Sequence, residues 1–263
     1  MMFSMLRRLF AHPLTRNLDV DDPRSTELRK RIIQENSLLR SVYISWYHDV
    51  LNRLPKISGS VLELGTGAGF LNKFLPDLVT TDVQCVRGLT LVCSATQLPF
   101  RESSLRAIVL INVFHHVPGA QAFFEQCKRC LKPGGRVILI EPWITQVSRL
   151  VYAHVHYEPF DQNISDWDLP ASGHLSGGND ALAWVVFRRD LEQFRRRHTG
   201  LTVVEIQPLV NFRYFLSGGV SMRCLAPGWL NGPLRVLENT LPSRWFAFFA
   251  RVVLERARHN GKD

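Results

Sequence analysis

The chain has 263 residues, 46% of them hydrophobic and 21% charged, which excludes a disordered protein and allows one large domain or one domain with a sizeable insertion. Its net charge of +9 favours an acidic partner, such as nucleic acid, an anionic membrane surface or a phosphorylated substrate, although an arginine-rich solvated surface gives the same excess. Apolar runs reach only about ten residues, half of the roughly twenty that a membrane-spanning helix needs.

The N-terminus and the cysteines bear on the cellular compartment. Residues 1–10 interrupt their apolar side chains with two arginines and so lack the apolar core of a secretory signal. They form either a short amphipathic element on a membrane surface or a disordered start. Cys127 and Cys130 have C-x-x-C spacing, but no second pair or flanking histidine completes a zinc site. We expect buried thiols in a cytoplasmic protein, with peripheral attachment to the inner face of the membrane as the alternative.

A long helical pattern covers residues 24–54. Asp22 and Pro23 precede it as a start signal, and Pro55 ends it. Its apolar positions recur at helical spacing: Leu28, Ile32, Ile33, Leu39, Val42 and Trp46. We predict one continuous helix here, within an N-terminal helical segment over residues 1–57.

Short apolar strands alternate with helices from Val61 onward. Five strands are predicted: Val61–Leu64, Leu78–Val83, Leu89–Ser94, Ala107–Val113 and Arg136–Glu141. Residues Phe70–Leu75 are predicted to form the first part of one helix, and Ala120–Leu131 to form another. This alternation predicts a doubly wound parallel sheet, in which ligands bind at the carboxyl ends of the strands. Four polar side chains fall at those ends: Glu63, Asp82, Ser94 and Asn112.

The regular alternation breaks after Glu141. Residues 142–178 are rich in Trp, His, Tyr, Asp and Gly, and residues 212–245 carry Gly-Gly and Pro-Gly breaks, so both indicate substrate-side insertions in a domain over residues 58–263. The remaining elements are a basic helix, a sixth strand, a short helix and an antiparallel last strand: Arg188–His198, Leu201–Gln207, Leu234–Thr240 and Phe246–Glu255. An amphipathic terminal helix is the alternative for the last of them.

Three glycines at alternate positions follow the first predicted strand. The missing β-carbons of Gly65, Gly67 and Gly69 let a ligand approach the backbone. The third glycine comes one residue too early for the dinucleotide pattern G-x-G-x-x-G, and no Gly-Lys-Ser/Thr follows as in a phosphate-binding loop. Asp82 lies nineteen residues after Glu63, at the end of the second strand. An acid there can accept hydrogen bonds from both ribose hydroxyls, which is typical of nucleoside-binding α/β folds.

Glu63 and the glycines form the pattern E-x-G-x-G-x-G, and three further segments follow in order: Ser94–Phe100, Asn112–Val117 and Leu131–Val137. Over residues 58–142 this set resembles class I S-adenosylmethionine (SAM)-dependent methyltransferases of the type 11 family. The resemblance implies SAM as the cofactor and a Rossmann-like, doubly wound α/β fold. Its seven-stranded sheet would be mostly parallel, with helices on both faces and an antiparallel last strand, plus the N-terminal helix and the insertions of the C-terminal half.

Carried over position by position, the resemblance implies ten cofactor-binding residues: Glu63, Gly65, Thr66, Gly67, Gly69, Asp82, Val83, Ser94, Ala95 and Asn112. Glu63 would help to hold the methionine amine, Asp82 would bind the ribose and Val83 would lie beside the adenine. The N-terminal helical segment would cover the site. Ser94 departs from the usual aspartate, and its hydroxyl can accept one hydrogen bond without carrying a charge. We expect this departure to lower cofactor affinity without abolishing binding.

Three histidines are candidates for a general base. His115 and His116 follow the fourth strand, close to where the transferred methyl group would point, and His156 lies in the first insertion. Histidine has a suitable pKa to take the proton of an oxygen nucleophile. The alternative is that the His115–His116 pair caps a helix or packs in the core.

Six residues outside the common fold are predicted to contact the substrate: Trp143, His154, Tyr157, Glu158, Arg213 and Arg223. Residues two apart on a strand share a face, so His154 and His156 could hold a metal ion together. Since nothing signals a third ligand, we predict no metal. Aromatic faces with a few arginines suit a sugar, an aromatic ring or a phosphorylated lipid carrier.

The segments Asp21–Thr26 and Leu216–Ser221 also resemble methyltransferases that accompany bacterial surface-polysaccharide synthesis. This resemblance favours O-methylation of a saccharide or lipid-linked saccharide. The expected partners are then a small-molecule or glycolipid substrate and an anionic membrane surface.

Three other functions stay open. A C- or N-methyltransferase of a quinone or small metabolite would share this core, and a non-catalytic SAM-binding or scaffold protein would keep the loop as structure. The charge of +9 also fits an RNA methyltransferase. However, Asn112-Val113-Phe114 lacks the Asn/Asp-Pro-Pro-aromatic signature of amine methylation on bases, and no RNA-binding module is appended. Nucleic acid is therefore not the expected partner.

Overall fold

One seven-stranded sheet organises the fold in a computed structural model that describes residues 10–16, 18–19, 21–22, 24–154, 158–169, 173 and 177–258. The strands are β1 Ser60–Leu64, β2 Leu78–Asp82, β3 Leu91–Val92, β4 Leu105–Ile111, β5 Leu131–Pro142, β6 Leu201–Leu209 and β7 Phe249–Arg256. They lie in the order β3-β2-β1-β4-β5-β7-β6.

The helices are α1 Arg24–Glu35, α2 Ser37–Leu51, α3 Ala120–Cys130, α4 Gln146–His154, α5 Leu182–Trp184, α6 Leu191–Arg197, α7 Phe212–Ser217, α8 Asn231–Thr240 and α9 Ser243–Phe246. Short 3-10 turns cover Leu71–Lys73, Phe114–His116 and Gly228–Leu230, and a π-helical turn covers Val185–Arg189.

Strands β1 to β5 pair in parallel, whereas β7 lies between β5 and β6 and is antiparallel to both. This arrangement confirms the predicted Rossmann-like, doubly wound sheet with an antiparallel last strand. The aromatic and β-branched residues that favoured a strand over a terminal helix are buried along β7.

Both faces of the sheet are covered, which explains why its central strands are apolar at nearly every position. In β4, Ile108 and Leu110 point into a core shared with α3, α5 and α6. Ala107 and Val109 alternate with them and point into a second core shared with α1 and α2. The N-terminal helices therefore belong to the hydrophobic core of the domain.

The N-terminal helical region is two helices, so the prediction of one continuous helix over residues 24–54 is wrong. Asn36 interrupts it with an extended backbone and accepts a hydrogen bond from the Leu39 N–H at 3.1 Å. Its side-chain amide also donates to the Ser217 carbonyl at 2.9 Å. Asparagine is a strong N-cap, and here the cap outweighs the continuous helical spacing of the apolar residues.

Other predicted boundaries shift for local reasons. The helix expected from Phe70 is only the 3-10 turn Leu71–Lys73, which ends before Pro76, and the third strand shrinks to Leu91–Val92. The first insertion contains α4, which the sequence pattern missed. The basic helix starts at Leu191, because the preceding residues form a π-helical turn.

No helix within the described ranges combines the length and apolar character needed to cross a bilayer. Residues 1–9, predicted as an amphipathic element or a disordered start, lie outside the described residues.

Candidate active site

A cavity of about 570 Å³ lies at the carboxyl ends of β1, β2 and β4. Parallel strands bring their carboxyl ends to one edge of a sheet, so side chains far apart in sequence meet there. All ten residues predicted to bind the cofactor line this cavity: Glu63, Gly65, Thr66, Gly67, Gly69, Asp82, Val83, Ser94, Ala95 and Asn112.

The glycine loop after β1 has a left-handed backbone that residues with a β-carbon rarely adopt. Gly65 and Gly67 have φ angles of +64° and +46°. A β-carbon on Gly65 would lie 2.6 Å from the side chain of Val113, and one on Gly69 would lie 2.9 Å from the carbonyl oxygen of Thr66. The loop therefore wraps closely around the end of β1 and leaves its backbone facing the cavity.

Asp82 closes the loop from the end of β2. Its Oδ2 accepts a hydrogen bond from the Gly67 N–H at 3.0 Å, and its Oδ1 accepts one from the Gln84 N–H at 3.0 Å. A carboxylate can accept about four hydrogen bonds, so this one keeps capacity for a ligand. The backbone fixes its orientation toward the cavity that it lines.

Glu63 lies beneath the loop and is buried. Thr66 donates its hydroxyl to Glu63 Oε2 at 2.9 Å. Burial, reinforced by the charge of Asp82 and opposed by the Thr66 hydrogen bond, raises the pKa of Glu63 to about 7. A cation bound in the cavity next to Glu63 would favour the charged form of this carboxylate.

Ser94 already uses its hydroxyl within the loop after β3. Its Oγ accepts a hydrogen bond from the Thr96 N–H at 3.2 Å and lies 2.9 Å from Thr96 Oγ1. Val83, predicted to lie beside the adenine, is 52% exposed at the rim of the same cavity. Val83 at the exposed rim and the loop after β3 therefore border the part of the cavity where the adenine ring is expected.

The N-terminal helices contribute cavity-lining residues that the sequence pattern did not single out: Thr26, Arg29, Tyr43 and Tyr47. Tyr47 accepts a hydrogen bond from the Phe70 N–H at 2.8 Å and so anchors the glycine loop to α2. The Nε of Arg29 is buried without a hydrogen-bond partner in the part of the chain that the structure describes. Aromatic and basic residues at helical spacing are compatible with a plain core or surface, so no sequence signal separated these four.

These features fit SAM. A β-carbon on Gly65 or Gly69 would clash with its neighbours, so the glycines keep the loop backbone close to the cavity. Asp82 has a fixed carboxylate with capacity to accept hydrogen bonds from two ribose hydroxyls. Arg29, a cation whose Nε has no partner within the described residues, and Glu63, a buried acid, line the same cavity. They match the carboxylate and the amine of an amino acid, which is the form of the methionine end of SAM.

His115 lies behind the cavity, wholly buried between carboxylates. Its Nδ1 is 2.7 Å from Glu141 Oε2 and its Nε2 is 3.1 Å from Glu158 Oε2. Burial disfavours the imidazolium, but the hydrogen bonds and charges of Glu141 and Glu158 outweigh it and raise the pKa of His115 well above its usual value. Both ring nitrogens are engaged, so His115 does not fit the predicted role of general base.

Glu141 at the end of β5 holds the histidine turn in place. Its Oε1 accepts hydrogen bonds from the N–H groups of Val113 and Phe114, each at 2.8 Å. Asn112, directly before this turn, has a φ of +59°, a conformation in which asparagine is enriched among non-glycine residues. The sequence pattern placed Glu141 only as a strand end.

His116 and Glu158 face the cavity together. His116 Nε2 lies 3.6 Å from Glu158 Oε2, and both side chains line the cavity wall. The ligating atoms of His115, His116 and Glu158 all lie within 4.8 Å of one another, so this group could hold a metal ion. His156, the third predicted base, lies outside the described residues.

A second, smaller cavity of about 60 Å³ borders the first and shares Asn112, Glu158 and Val220 with it. Asp180 and five aromatic residues also line it: Tyr152, Tyr214, Phe215, Phe248 and Phe249. This cavity is built from the two predicted insertions and the strand ends between them.

Of the predicted substrate residues, Glu158 alone lines these two cavities within the described part of the chain. Trp143 is buried in the core beneath β5, and Arg213 is buried in an ion pair with Glu238. Arg223 and His154 are exposed. These four residues therefore line neither of the two cavities, although Arg213 lines a separate cavity of about 780 Å³ together with Glu238. Tyr157 lies outside the described residues.

A family model described as a methyltransferase domain matches residues 62–139. No curated protein matches the chain. A SAM-dependent methyltransferase from Thermotoga maritima superposes with a TM-score of 0.52 at 16% identity, over 88% of this chain and 99% of that one. A chain from the complex of the Haloferax volcanii Trm112 methyltransferase activator with its proposed methyltransferase gives 0.51 at 17% identity, over 89% and 95%. These two structures show a shared fold. The matched domain indicates a SAM-dependent methyltransferase, and the two structures together with the strand order show the fold.

Proposed function

We propose that this methyltransferase acts on a hydroxyl group of a saccharide, either free or linked to a lipid. The observation that carries the proposal is the border between the two cavities, where the aromatic rings and Asp180 of the second cavity meet Glu158, which lines both of them. Aromatic side chains pack against the apolar faces of a ring, while carboxylates accept hydrogen bonds from its hydroxyls. This combination favours a polyhydroxylated acceptor.

The cofactor side of the proposal rests on three charged residues. Arg29 and Glu63 would hold the two ends of the amino-acid part of SAM, and Asp82 would accept hydrogen bonds from its ribose. When bound, SAM supplies the methyl group. The protein then contributes position and exclusion of water, which for a displacement reaction are the larger part of catalysis.

The acceptor side rests on the border between the two cavities. Glu158 lines both of them, and His116 Nε2 lies 3.6 Å from its Oε2. A hydroxyl placed at this border can donate its hydrogen bond to Glu158 while its oxygen faces the SAM cavity. Among the predicted bases within the described residues, His116 is the one that lines the cavity.

A C-terminal apolar surface supports a lipid-linked acceptor and attachment to the inner face of a bacterial membrane. It consists of exposed large side chains in one short segment: Leu225, Trp229, Val236, Leu237 and Trp245. Arg223, Arg235 and Arg244 are exposed in the same segment. The only acidic residue between Pro208 and Leu254 is Glu238, which is buried. Tryptophan and arginine beside exposed apolar residues suit the interface of an anionic bilayer.

The substrate class can be tested with SAM carrying a labelled methyl group. The protein is incubated with free saccharides, lipid-linked saccharides, a quinone extract and RNA, and each fraction is analysed for the label. We expect label in a saccharide fraction, recovered as an O-methyl sugar. Glu158→Gln should lower this transfer while binding of S-adenosylhomocysteine stays as in the wild type. Label in the quinone fraction would favour the aromatic lining of the second cavity as a quinone site, and label in RNA would also overturn the proposal.

Attachment to the membrane can be tested by sedimentation with vesicles. We expect co-sedimentation with vesicles that contain phosphatidylglycerol and little with pure phosphatidylcholine. Trp229→Ser should weaken the attachment, whereas Val204→Ser, which changes an exposed apolar residue on β6, should not. Equal sedimentation of the two variants would remove the C-terminal apolar surface from the proposal.

A further inference from the structure

His115, His116 and Glu158 cluster at and behind the border between the two cavities, with their ligating atoms within 4.8 Å of one another, and Asp180 lies beside them. His115 Nε2 lies 3.1 Å from Glu158 Oε2 and 3.8 Å from Asp180 Oδ1, and His116 Nε2 lies 3.6 Å from Glu158 Oε2. A cation about 2.0–2.2 Å from nitrogen and oxygen ligands separates neighbouring ligand atoms by roughly 3–3.6 Å. The two distances to Glu158 fall within this range, whereas Asp180 would have to move closer to His115 to join the ligands.

We propose that His115, His116 and Glu158, assisted by Asp180, bind a divalent transition-metal ion that holds the acceptor hydroxyl. This inference rests on the proposed function, because it assigns the ion to the border between the SAM cavity and the proposed acceptor cavity.

Glu141 gives the first support, because it orients His115 as a ligand. Its Oε2 is 2.7 Å from Nδ1, so Nδ1 donates to Glu141, and a metal ion would take the place of the proton that Nε2 shares with Glu158. Histidines that bind metals almost always donate their other ring N–H to a carboxylate, a carbonyl or water. Glu141 is itself fixed by the N–H groups of Val113 and Phe114.

The charge around the cluster gives the second support. Residues 150–187 contain no lysine or arginine, although the whole chain carries a net charge of +9. The same stretch contains five acids: Glu158, Asp161, Asp166, Asp168 and Asp180. Asp180 is 1% exposed. Buried carboxylates are stable when they are paired or coordinate a metal, so Asp180 and Glu158, which both face His115, suit a cation.

The donor set favours particular metals. Two imidazoles with carboxylates suit zinc, iron or manganese, whereas magnesium and calcium prefer oxygen ligands alone. A site with three or four protein ligands keeps a position open for another oxygen, as catalytic metal sites do. Because Glu158 lines both cavities, that position would face a hydroxyl of the acceptor.

Binding of Mn²⁺ to the full chain tests the proposal without any acceptor. Electron paramagnetic resonance measures free Mn²⁺ as the protein is titrated, and electron spin-echo spectra report nitrogen ligands of the bound ion. Manganese has little affinity for the cysteines, two of which are exposed. We expect one ion per chain with nitrogen coupling from histidine, and displacement by an equal amount of Zn²⁺ but not by Mg²⁺.

Variants locate the ion. Glu158→Gln and His116→Asn should each weaken Mn²⁺ binding by about ten- to 100-fold or more. His198→Gln is the matched control, since His198 is also buried and 3.3 Å from a carboxylate oxygen, that of Glu125. It should bind Mn²⁺ like the wild type. Binding of S-adenosylhomocysteine by every variant confirms that the fold is retained.

The possible outcomes distinguish failure of the proposed metal site from failure of the proposed saccharide acceptor. Absence of Mn²⁺ and Zn²⁺ binding at millimolar concentration, with S-adenosylhomocysteine still bound, overturns the metal site and leaves the saccharide proposal standing. Unchanged Mn²⁺ affinity in both ligand variants also overturns it, because the ion then lies elsewhere. Normal metal binding with methyl transfer to a quinone keeps the ion and refutes the saccharide acceptor.

Discussion

The backbone N–H of Gly67 donates a hydrogen bond to Oδ2 of Asp82 over 3.0 Å, so the glycine loop and the end of β2 hold each other in place. The second carboxylate oxygen of Asp82 accepts from the N–H of Gln84, and the Gln84 side chain donates to the carbonyl of Asp21 at 3.0 Å. A single carboxylate therefore ties together the loop, the strand end and the N-terminal segment around one wall of the SAM cavity.

Replacing Asp82 by Ala should weaken cofactor binding. The variant loses the charged acceptor proposed for the ribose and the restraint on the loop, and hydrogen bonds to charged groups contribute about 1.5–3 kcal/mol. We expect an affinity for S-adenosylhomocysteine about ten- to 150-fold lower, measured by calorimetry. Asp82→Asn keeps one acceptor oxygen and should lose less. An Asp82→Ala protein with wild-type affinity would mean that the ribose is bound elsewhere.

Replacing Gly65 by Ala should destabilise the protein through two separable effects. A left-handed backbone costs an L-residue about 1–2 kcal/mol, and the new β-carbon would also lie 2.6 Å from Val113. Gly88 has a φ of +87°, and no atom of the described residues outside its chain neighbours lies within 4 Å of where its β-carbon would be, so Gly88→Ala isolates the backbone effect. We expect denaturant unfolding to show a loss for Gly65→Ala that exceeds the Gly88→Ala loss by about 1–3 kcal/mol. Equal losses of unfolding free energy in the two variants would show that the Val113 side chain moves away from the new β-carbon at no cost.

The glycine-loop side of the site could be predicted from the sequence because Glu63, Asp82 and the glycines follow from local pattern. Glu63 and Asp82 end short apolar strands, and the glycines between them mark a turn that needs positive φ. Parallel strands then bring those ends to one edge without further information. The same local reasoning correctly placed β7, whose aromatic and β-branched residues fit a strand.

The acceptor side could not be predicted, because it depends on pairings between distant segments. Glu141 and Glu158 meet His115 across 26 and 43 residues, and nothing in the local pattern of either acid signals the meeting. On the cofactor side, Arg29 could not be predicted either, because it belongs to a helix whose charged residues look solvated in sequence. Residue type alone also misplaced Trp143, since a tryptophan that packs in a core has the same sequence signal as one that binds a sugar.

The pKa of Glu63 makes stability depend on pH in an unusual direction for an acid. The folded protein keeps the proton up to about pH 7, whereas the unfolded chain releases it near the ordinary glutamate pKa of 4.5. The SAM-free protein should therefore lose stability as the pH rises from about 4.5 to 7, by about 3 kcal/mol from this residue, and little more above that range. Charging a buried carboxylate is the physical reason.

Comparison with Glu63→Gln isolates this effect from the other titrating groups. Urea unfolding of both proteins at about pH 5 and pH 7.5 gives the difference that belongs to Glu63. We expect the wild type to lose stability relative to the variant between the two pH values. A parallel pH dependence of the two proteins would mean that Glu63 titrates near its ordinary value.

The ion pair of Arg213 and Glu238 should stabilise the fold without contributing to substrate binding. Arg213 Nε lies 2.7 Å from Glu238 Oε2, and the Arg213 N–H donates to Oε1 at 2.7 Å, with both side chains buried. Glu238→Ala leaves the guanidinium buried without its carboxylate, which typically costs about 3–5 kcal/mol. The double variant Arg213→Met with Glu238→Leu should recover much of that loss, because it removes both charges together. The pair lines a separate cavity and neither of the two that meet at Glu158. The double variant should therefore keep the wild-type affinity for S-adenosylhomocysteine and the wild-type KM for the acceptor. A stable double variant with a strongly raised acceptor KM would instead return Arg213 to the substrate site.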